Sequence, residues 1–552
     1  MSKRKFTAAL ALLLVLLICW PSQWYPMPVR KQLAEWFGAT AYRPAPAEQP
    51  GDQQQAEIDC PEDHFGWRQS TNIEGVEIQE DLQCVVDSPD EVAAFVRGTN
   101  NVSGQVLGNS GLAADAVVKK NDIDGDGDPD EIEIRLEVVE LNGTAPDSAE
   151  LSTQYAIAPG VKPGLWVFAP KTIGMATENF ESRSARRTLR LPSPAIRVEQ
   201  GDRVKVILEN THYLPHTIHF HGVDHSFVDE AGEGNDGVPL TSEPAIEPGG
   251  ARTYELQPRH AGTMFYHCHV QTQVHAMMGL QGLFVIEENQ PNNWVQTMNL
   301  GGGLVRSPSQ SVRNDYDREY DLHYLDIDEE LNSIIQESND ARVVNNALLR
   351  QYNTTQAQRE YFTLNGVSFP YTFRESLLIA KDEETIRMRV LNGGANGLAL
   401  HTHGHKVTIT HNDGVAVNPA ARITRDVVWV AAAQRADLTL RTSNDGLHSY
   451  GQGIWLLHDH QPAGITTDGI GPGGNISAIV YEDYLGENGW PETRGEELAQ
   501  YFSADYYSRP EGSWFAGPDE PLKADGRLLF RLVVIGIAIG LLMALAVGRS
   551  RR

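Results

Sequence analysis

Four histidine pairs of the form H-x-H constrain this chain more than anything else in it: His219/His221, His267/His269, His401/His403 and His458/His460. Side chains alternate between faces along a strand, so residues i and i+2 share a side. Each pair therefore presents two imidazoles together, and the full set exceeds what one zinc ion uses. The pattern predicts a cluster of several metals assembled between two β-domains. The second pair encloses a cysteine, in Phe265-Tyr266-His267-Cys268-His269-Val270. On a strand Cys268 points away from its neighbours, so a metal held by its sulfur sits across the backbone from the cluster. His216 precedes the first pair and His275 follows the cysteine. Two histidines with one cysteine are the equatorial set of a blue-copper electron-transfer site.

A chain of 552 residues holds two or three ordinary domains. Its formal charge of −28 argues against nucleic acid as a partner, because phosphate binding needs a basic face. Lys3, Arg4 and Lys5 precede an apolar run from Phe6 to Trp20, which reads as a signal peptide or signal anchor over residues 1–26. Leu532 to Val547 carries no charge and is followed by Arg549, Arg551 and Arg552. A transmembrane helix over 527–549 is expected, with the arginines inside. The intervening chain is then extracytoplasmic, periplasmic or on the cell surface, and Cys60 and Cys84 are expected to pair there.

Residues 27–130 read as an N-terminal extension. It opens with a linker rich in Pro, Ala, Gln and Gly, and ends in a loop of the calcium type. Asp122, Asp124, Asp126, Asp128, Asp130 and Glu133 match the carboxylates of that loop, and Gly127 permits its sharp turn. Glu131-Ile-Glu-Ile-Arg-Leu alternates like a strand, so a structural calcium loop before a strand is expected rather than a helical sensor. Short strands and turns fill 131–288, a Pro/Gly/Asn-rich linker spans 289–316, and a similar rhythm returns over 317–485. Residues 329–357 are more polar and suggest a helical excursion. A C-terminal linker at 486–526 completes the plan.

His216-x-x-His219-x-His221-Gly222 and His267-Cys268-His269, with the two later pairs, resemble the ligand motifs of the multicopper oxidases over roughly residues 150–485. The resemblance implies an all-β fold of two cupredoxin-like Greek-key sandwiches, with the type 1 copper in the N-terminal one, as in two-domain, laccase-like members. It assigns His216, Cys268 and His275 to the type 1 copper and His219 and His401 to the type 2 copper. His221, His267, His269, His403, His458 and His460 fall to the type 3 pair, and His405 stands outside the ligand set. The family's axial methionine aligns with Leu280, with Met278 as the other candidate. Asp236 resembles the family's proton-donating acid, and Asp224 is its rival.

The implied activity is one-electron oxidation of a phenol or metal ion, entering at His275 and crossing Cys268, coupled to reduction of dioxygen to water. The resemblance also implies four coppers per chain and a homotrimer that shares each cluster between chains. A copper nitrite reductase is the nearest other enzyme, although it lacks a counterpart to His269. A non-catalytic copper carrier leaves the four histidine pairs without a purpose.

Overall fold

The computed structural model describes residues 71–73, 76–78, 116–144, 155–171, 190–293, 295, 297–299, 301–305, 312, 314–338, 340–486 and 490–508. The leader, the Cys60–Cys84 pair and the expected membrane helix at 527–549 lie outside the described residues. Among the described residues no helix is long and apolar enough to cross a membrane. The architecture below belongs to one compact unit, Ala56–Tyr507, which begins with a short hairpin of Thr71–Ile73 and Val76–Ile78.

The first domain is a pair of sheets. One runs, in spatial order, Met298–Asn299, Ala195–Glu199, Gln281–Glu287, Gly262–His267, His219–His221. The other runs Val117–Lys120, Glu131–Leu141, Arg203–Glu209, Ala251–Leu256, with Leu165–Pro170 also paired to Glu131–Leu141. Alternation explains the long strand: Ile132, Ile134 and Leu136 are buried while Glu131, Glu133 and Arg135 stay partly exposed. The two inner faces meet in a core that includes Ile134, Leu136, Trp166, Val206, Tyr254, Tyr266 and Phe284.

The first domain starts earlier than the sequence suggests. Val117–Lys120 pairs antiparallel with Glu131–Ile134, so the carboxylate loop is the turn of a hairpin within this domain and not part of a separate extension. Gly125 and Gly127 both adopt positive φ in that turn, which glycine does without steric cost. The 289–316 segment is likewise more than a linker. Met298–Asn299 adds an edge strand to the first domain, and Gly303–Leu304 adds one to the second.

The second domain repeats the plan. One sheet runs Gly303–Leu304, Arg318–Ile327, Thr385–Asn392, Arg435–Arg441, Val407–Asn412, Val415–Ala416. The facing sheet runs Leu378–Ala380, Ser477–Tyr481, Ile454–Asp459, Leu398–Thr402, Val427–Val430. The helical excursion is present as Glu329–Glu337 and Ala341–Asn346, capped by the Asp328 and Asp340 carboxylates. Its apolar residues Leu331, Ile335, Val344 and Leu348 join the core of the first domain. Beyond residue 485 the chain still packs: Tyr501 lies among Phe369, Phe373 and Leu377, and the Tyr507 hydroxyl donates to the Pro472 carbonyl at 2.9 Å.

Buried charge joins the domains. Arg197, 2% exposed, donates both terminal nitrogens to Asp321 at 2.8 and 2.9 Å and its Nε to Glu287 at 2.8 Å. Arg389 returns the contact from the second domain, bonding Glu319, Asp437 and Glu287, and the Thr263 hydroxyl of the first. Burial by itself would raise the Glu319 carboxyl, but Arg389 and Arg197 override it and hold it at about 2. Removing one member of such a set leaves uncompensated charge, so Arg197→Met is expected to cost about 3–5 kcal/mol in chemical unfolding. Because the folded Glu319 value is depressed, its contribution is complete above the ordinary carboxylate range near ~4.3. That contribution is lost as the pH falls towards about 2, and unfolding followed against pH checks the sign.

Candidate metal centre

Strand register brings the histidines together. In the first domain His267 lies opposite His219 and Phe265 opposite His221. The His221 and His267 Nε2 atoms stand 2.9 Å apart, and the His269 ring lies 5.3 Å from His219 and 5.7 Å from His267, centre to centre. The second domain matches this. His401 lies opposite His458, the His403 and His458 Nε2 atoms are 3.2 Å apart, and the His460 ring stands 5.4 Å from His401. Among the described residues the ring contacts run within each set of four and none joins the two sets.

Backbone carbonyls orient these rings. The Nδ1–H of His219 donates to the Asp236 carbonyl at 2.6 Å and that of His401 to the Asp426 carbonyl at 3.0 Å. His267 and His458 use Nδ1 on the carbonyls of Cys268 and Asp459, at 3.0 and 2.8 Å. A bond at Nδ1 frees Nε2 with its lone pair for a metal. Burial is the largest cause that lowers His221 to about 4 and His267 to about 3, and it lowers His403 and His458 as well. These four rings are therefore neutral near pH 7, the form that ligates.

Across the backbone the second group forms. Cys268 Sγ lies 3.6 Å from His216 Nδ1 and 3.5 Å from His275 Nδ1, and all three side chains are buried. One sulfur and two imidazole nitrogens at this spacing fit a single copper ion. Burial pushes the Cys268 thiol up to about 12 and His275 down to about 3. The Cys268 N–H donates to the Leu280 carbonyl at 3.0 Å, and Leu280 and Met278 are both fully buried in the core beside it. His275 is only 1% exposed, so the electron entry expected there has no exposed ring edge. Trp166 covers it, edge-on with ring centres 5.1 Å apart.

Asp236 lies at the histidine cluster: its Oδ1 is 3.3 Å from His219 Nδ1 and 3.2 Å from His225 Nε2. Asp224 turns away to Arg259 and His260. His405 is buried between the His403 carbonyl and the Tyr481 hydroxyl. Sequence reading missed His212, His225 and Asp426. The first two had no partner in the H-x-H pattern, although His212-x-x-x-His216 was visible. Asp426 becomes recognisable only through the match of its carbonyl with that of Asp236.

The carboxylate loop divides its residues. Asp122, Asp124 and Asp126 place their oxygens within reach of one ion. Asp130 accepts from the Ile123 and Asp124 N–H groups, and Asp128 accepts from the Asn293 N–H at 2.8 Å. Glu133 points away from the loop to Arg135 at 2.7 Å. Of the six expected carboxylates, Asp122, Asp124 and Asp126 come together in this way, and Glu133 pairs with Arg135 on the strand that follows.

Two β-sandwiches with a buried sulfur–imidazole cradle and paired histidine strands define a protein of the cupredoxin class. Residues 187–291 and 343–463 match family models described as multicopper oxidase. The chain is 24% identical over 280 residues to copper resistance protein A of Pseudomonas syringae pv. tomato, covering 48% of this chain and 43% of that one. It is 24% identical over 284 residues to the iron transport multicopper oxidase FET3 of Saccharomyces cerevisiae, covering 50% and 37%. It spans less than half the length of these curated relatives. Among solved structures, the blue copper oxidase from Nitrosomonas europaea aligns at TM-score 0.46 and 23% identity, over 71% of this chain and 98% of that one. Each sandwich thus carries a segment that matches a multicopper oxidase model.

Proposed function

We propose that this protein is an extracytoplasmic multicopper oxidase that couples one-electron oxidation of a reducing substrate, a phenol or a metal ion, to reduction of dioxygen to water. One observation carries the reading: Cys268 sits between His267 and His269, with its sulfur in the His216/His275 cradle and its neighbours in the histidine cluster. His216, Cys268 and His275 would hold the type 1 copper, and His219 and His401 the type 2 copper. His221, His267, His269, His403, His458 and His460 would hold the type 3 pair. Copper so bound supplies one-electron acceptance at the first site and dioxygen reduction at the cluster.

The protein's own part is to keep the ligand rings neutral and aimed, to link the two sites through the backbone of one residue, and to bring protons. Asp236, in contact with His219 and His225, would pass a proton to the cluster. About four copper ions per chain are expected on metal analysis. About two, with nitrite turnover, would mark a nitrite reductase, and full copper without oxygen uptake a carrier. Cys268→Ser is expected to abolish the intense blue absorption and donor oxidation while leaving most cluster copper bound. Leu280→Met is expected to lower the type 1 potential if Leu280 holds the axial position.

The separation of the two histidine sets supports a homotrimer in which each cluster is completed by the next chain, since head-to-tail contacts close into a ring. Trp429, on the strand beside that of His401, and Leu456, on the strand that carries His458, are 60% and 36% exposed, as an interface between copies requires. Chains carrying His267→Ala and chains carrying His401→Ala are each expected to be inactive. Co-assembled, they are expected to regain part of the activity, and no regain would overturn sharing.

We also read Asp122, Asp124 and Asp126 as a structural calcium site. Asp124→Ala with Asp126→Ala is expected to remove any rise of Tm with added calcium and to leave the copper spectrum intact. Membrane anchoring by the apolar 532–547 run predicts that the full chain sediments with membranes and that a chain ending at 508 does not.

A further inference from the structure

The three type 1 side chains are shut away from solvent. His216 and Cys268 are 0% exposed and His275 is 1% exposed. Trp166, itself fully buried, lies edge-on to both imidazoles, and its Nε1–H is used on the Glu140 carboxylate at 3.1 Å. A donor in solution therefore cannot touch a ligand ring. The far side of His216, however, leads outward. Its Nδ1 faces the sulfur, and its Nε2 stands 2.8 Å from Nδ1 of His212. The His212 ring lies against the Tyr213 ring, with centres 4.0 Å apart and planes at 36°. Tyr213 is partly exposed, and its hydroxyl donates to Glu140 Oε2 at 2.7 Å.

From this run of one hydrogen bond and one ring contact, we propose that Tyr213 and His212 form the electron-entry port of the type 1 site. The donor is an outer-sphere one-electron reductant that packs its aromatic ring on Tyr213, and His216 receives the electron through His212. The port rests on the copper reading above. One electron leaves the donor and reduces type 1 Cu(II) to Cu(I), and the donor's proton goes to solvent. Tyr213 and His212 keep their own oxidation states, and the Tyr213 proton stays in its bond to Glu140. His212 is also a positioning residue: by accepting from His216 Nε2–H it leaves His216 Nδ1, the atom facing Cys268, free to ligate.

The nearest rival feature is Met277, partly buried beside the same core and two residues from His275. It offers no ring for an aromatic donor and no hydrogen bond to a ligand. Glu140, buried and bonded by both Trp166 and Tyr213, fixes the two aromatic rings relative to each other. Loss of that carboxylate is therefore expected to disturb the port without removing a ligand.

The test uses the copper-loaded full chain and hydroquinone as the probe, without oxygen, following the bleaching of the blue band in a stopped-flow instrument. Tyr213→Ala is expected to slow bleaching by about tenfold or more, since misplacing a donor by about 1 Å has effects of that order or larger. Its blue absorption and type 1 potential are expected to stay as in the unaltered protein, which a merely structural role would not produce. Tyr213→Phe keeps the ring on His212 and is expected to slow bleaching less than the alanine variant. Tyr213→Leu keeps apolar bulk without the ring and gives the same comparison if the alanine variant loses its blue band. Bleaching at the unaltered rate in both ring-deleted variants would overturn the port, as would an equal loss in Tyr213→Phe and Tyr213→Ala. A protein that never shows a blue band overturns the copper reading, and the port with it.

Discussion

The division of His267, Cys268 and His269 between two sites is the constraint on which the rest of this site depends. The strand Gly262–His267 ends at the first of them; Cys268 Sγ then joins His216 and His275 in the sulfur cradle, while His267 and His269 lie with His219 in the histidine cluster, so one stretch of chain serves both. The bond from the Cys268 N–H to the Leu280 carbonyl ties the residue to the chain that returns after His275. His269 is tied in turn by its N–H to the Thr217 hydroxyl, within the segment that also carries His216 and His219. The two groups of side chains are thereby joined through adjacent residues of one chain segment, which these hydrogen bonds hold in place.

The second domain shows what that arrangement becomes without a cysteine. Asp459 holds the equivalent place between His458 and His460, is buried, and accepts from the N–H groups of Ala399 and Gln461. It has become a strap for its own backbone. The ring-orienting bonds survive in both domains: His219 and His401 use an aspartate carbonyl, while His267 and His458 use the carbonyl of the residue after them. Duplicated backbone geometry thus preserves four imidazole orientations, while one side chain decides which domain holds the sulfur cradle.

The Arg197–Asp321 and Arg389–Glu319 set fixes how the two sandwiches meet, because a bidentate guanidinium–carboxylate pair tolerates little rotation. The helical excursion adds to this. It leaves the second domain's strand Arg318–Ile327 and buries Leu331, Ile335, Val344 and Leu348 in the first domain's core, which Trp166 shares. The cradle's seclusion is therefore a product of both domains.

The sequence by itself determined which histidines pair and which cysteine lies between two of them, the mostly β character, the helical excursion and the strand after the carboxylate loop. Each of these rests on local spacing: period two for strands, His-Cys-His for the paired sites, Asp-Gly repeats for the turn. Only the tertiary structure decided where domains begin, since the pairing of Val117–Lys120 with Glu131–Ile134 leaves no mark in composition. The same holds for the burial of His275, which comes from Trp166, more than a hundred residues earlier in the chain. Likewise His212, Glu140 and Tyr213 meet because a strand and a loop far apart in sequence pack on one core. Local pattern specifies which atoms a residue offers; long-range packing decides what those atoms face.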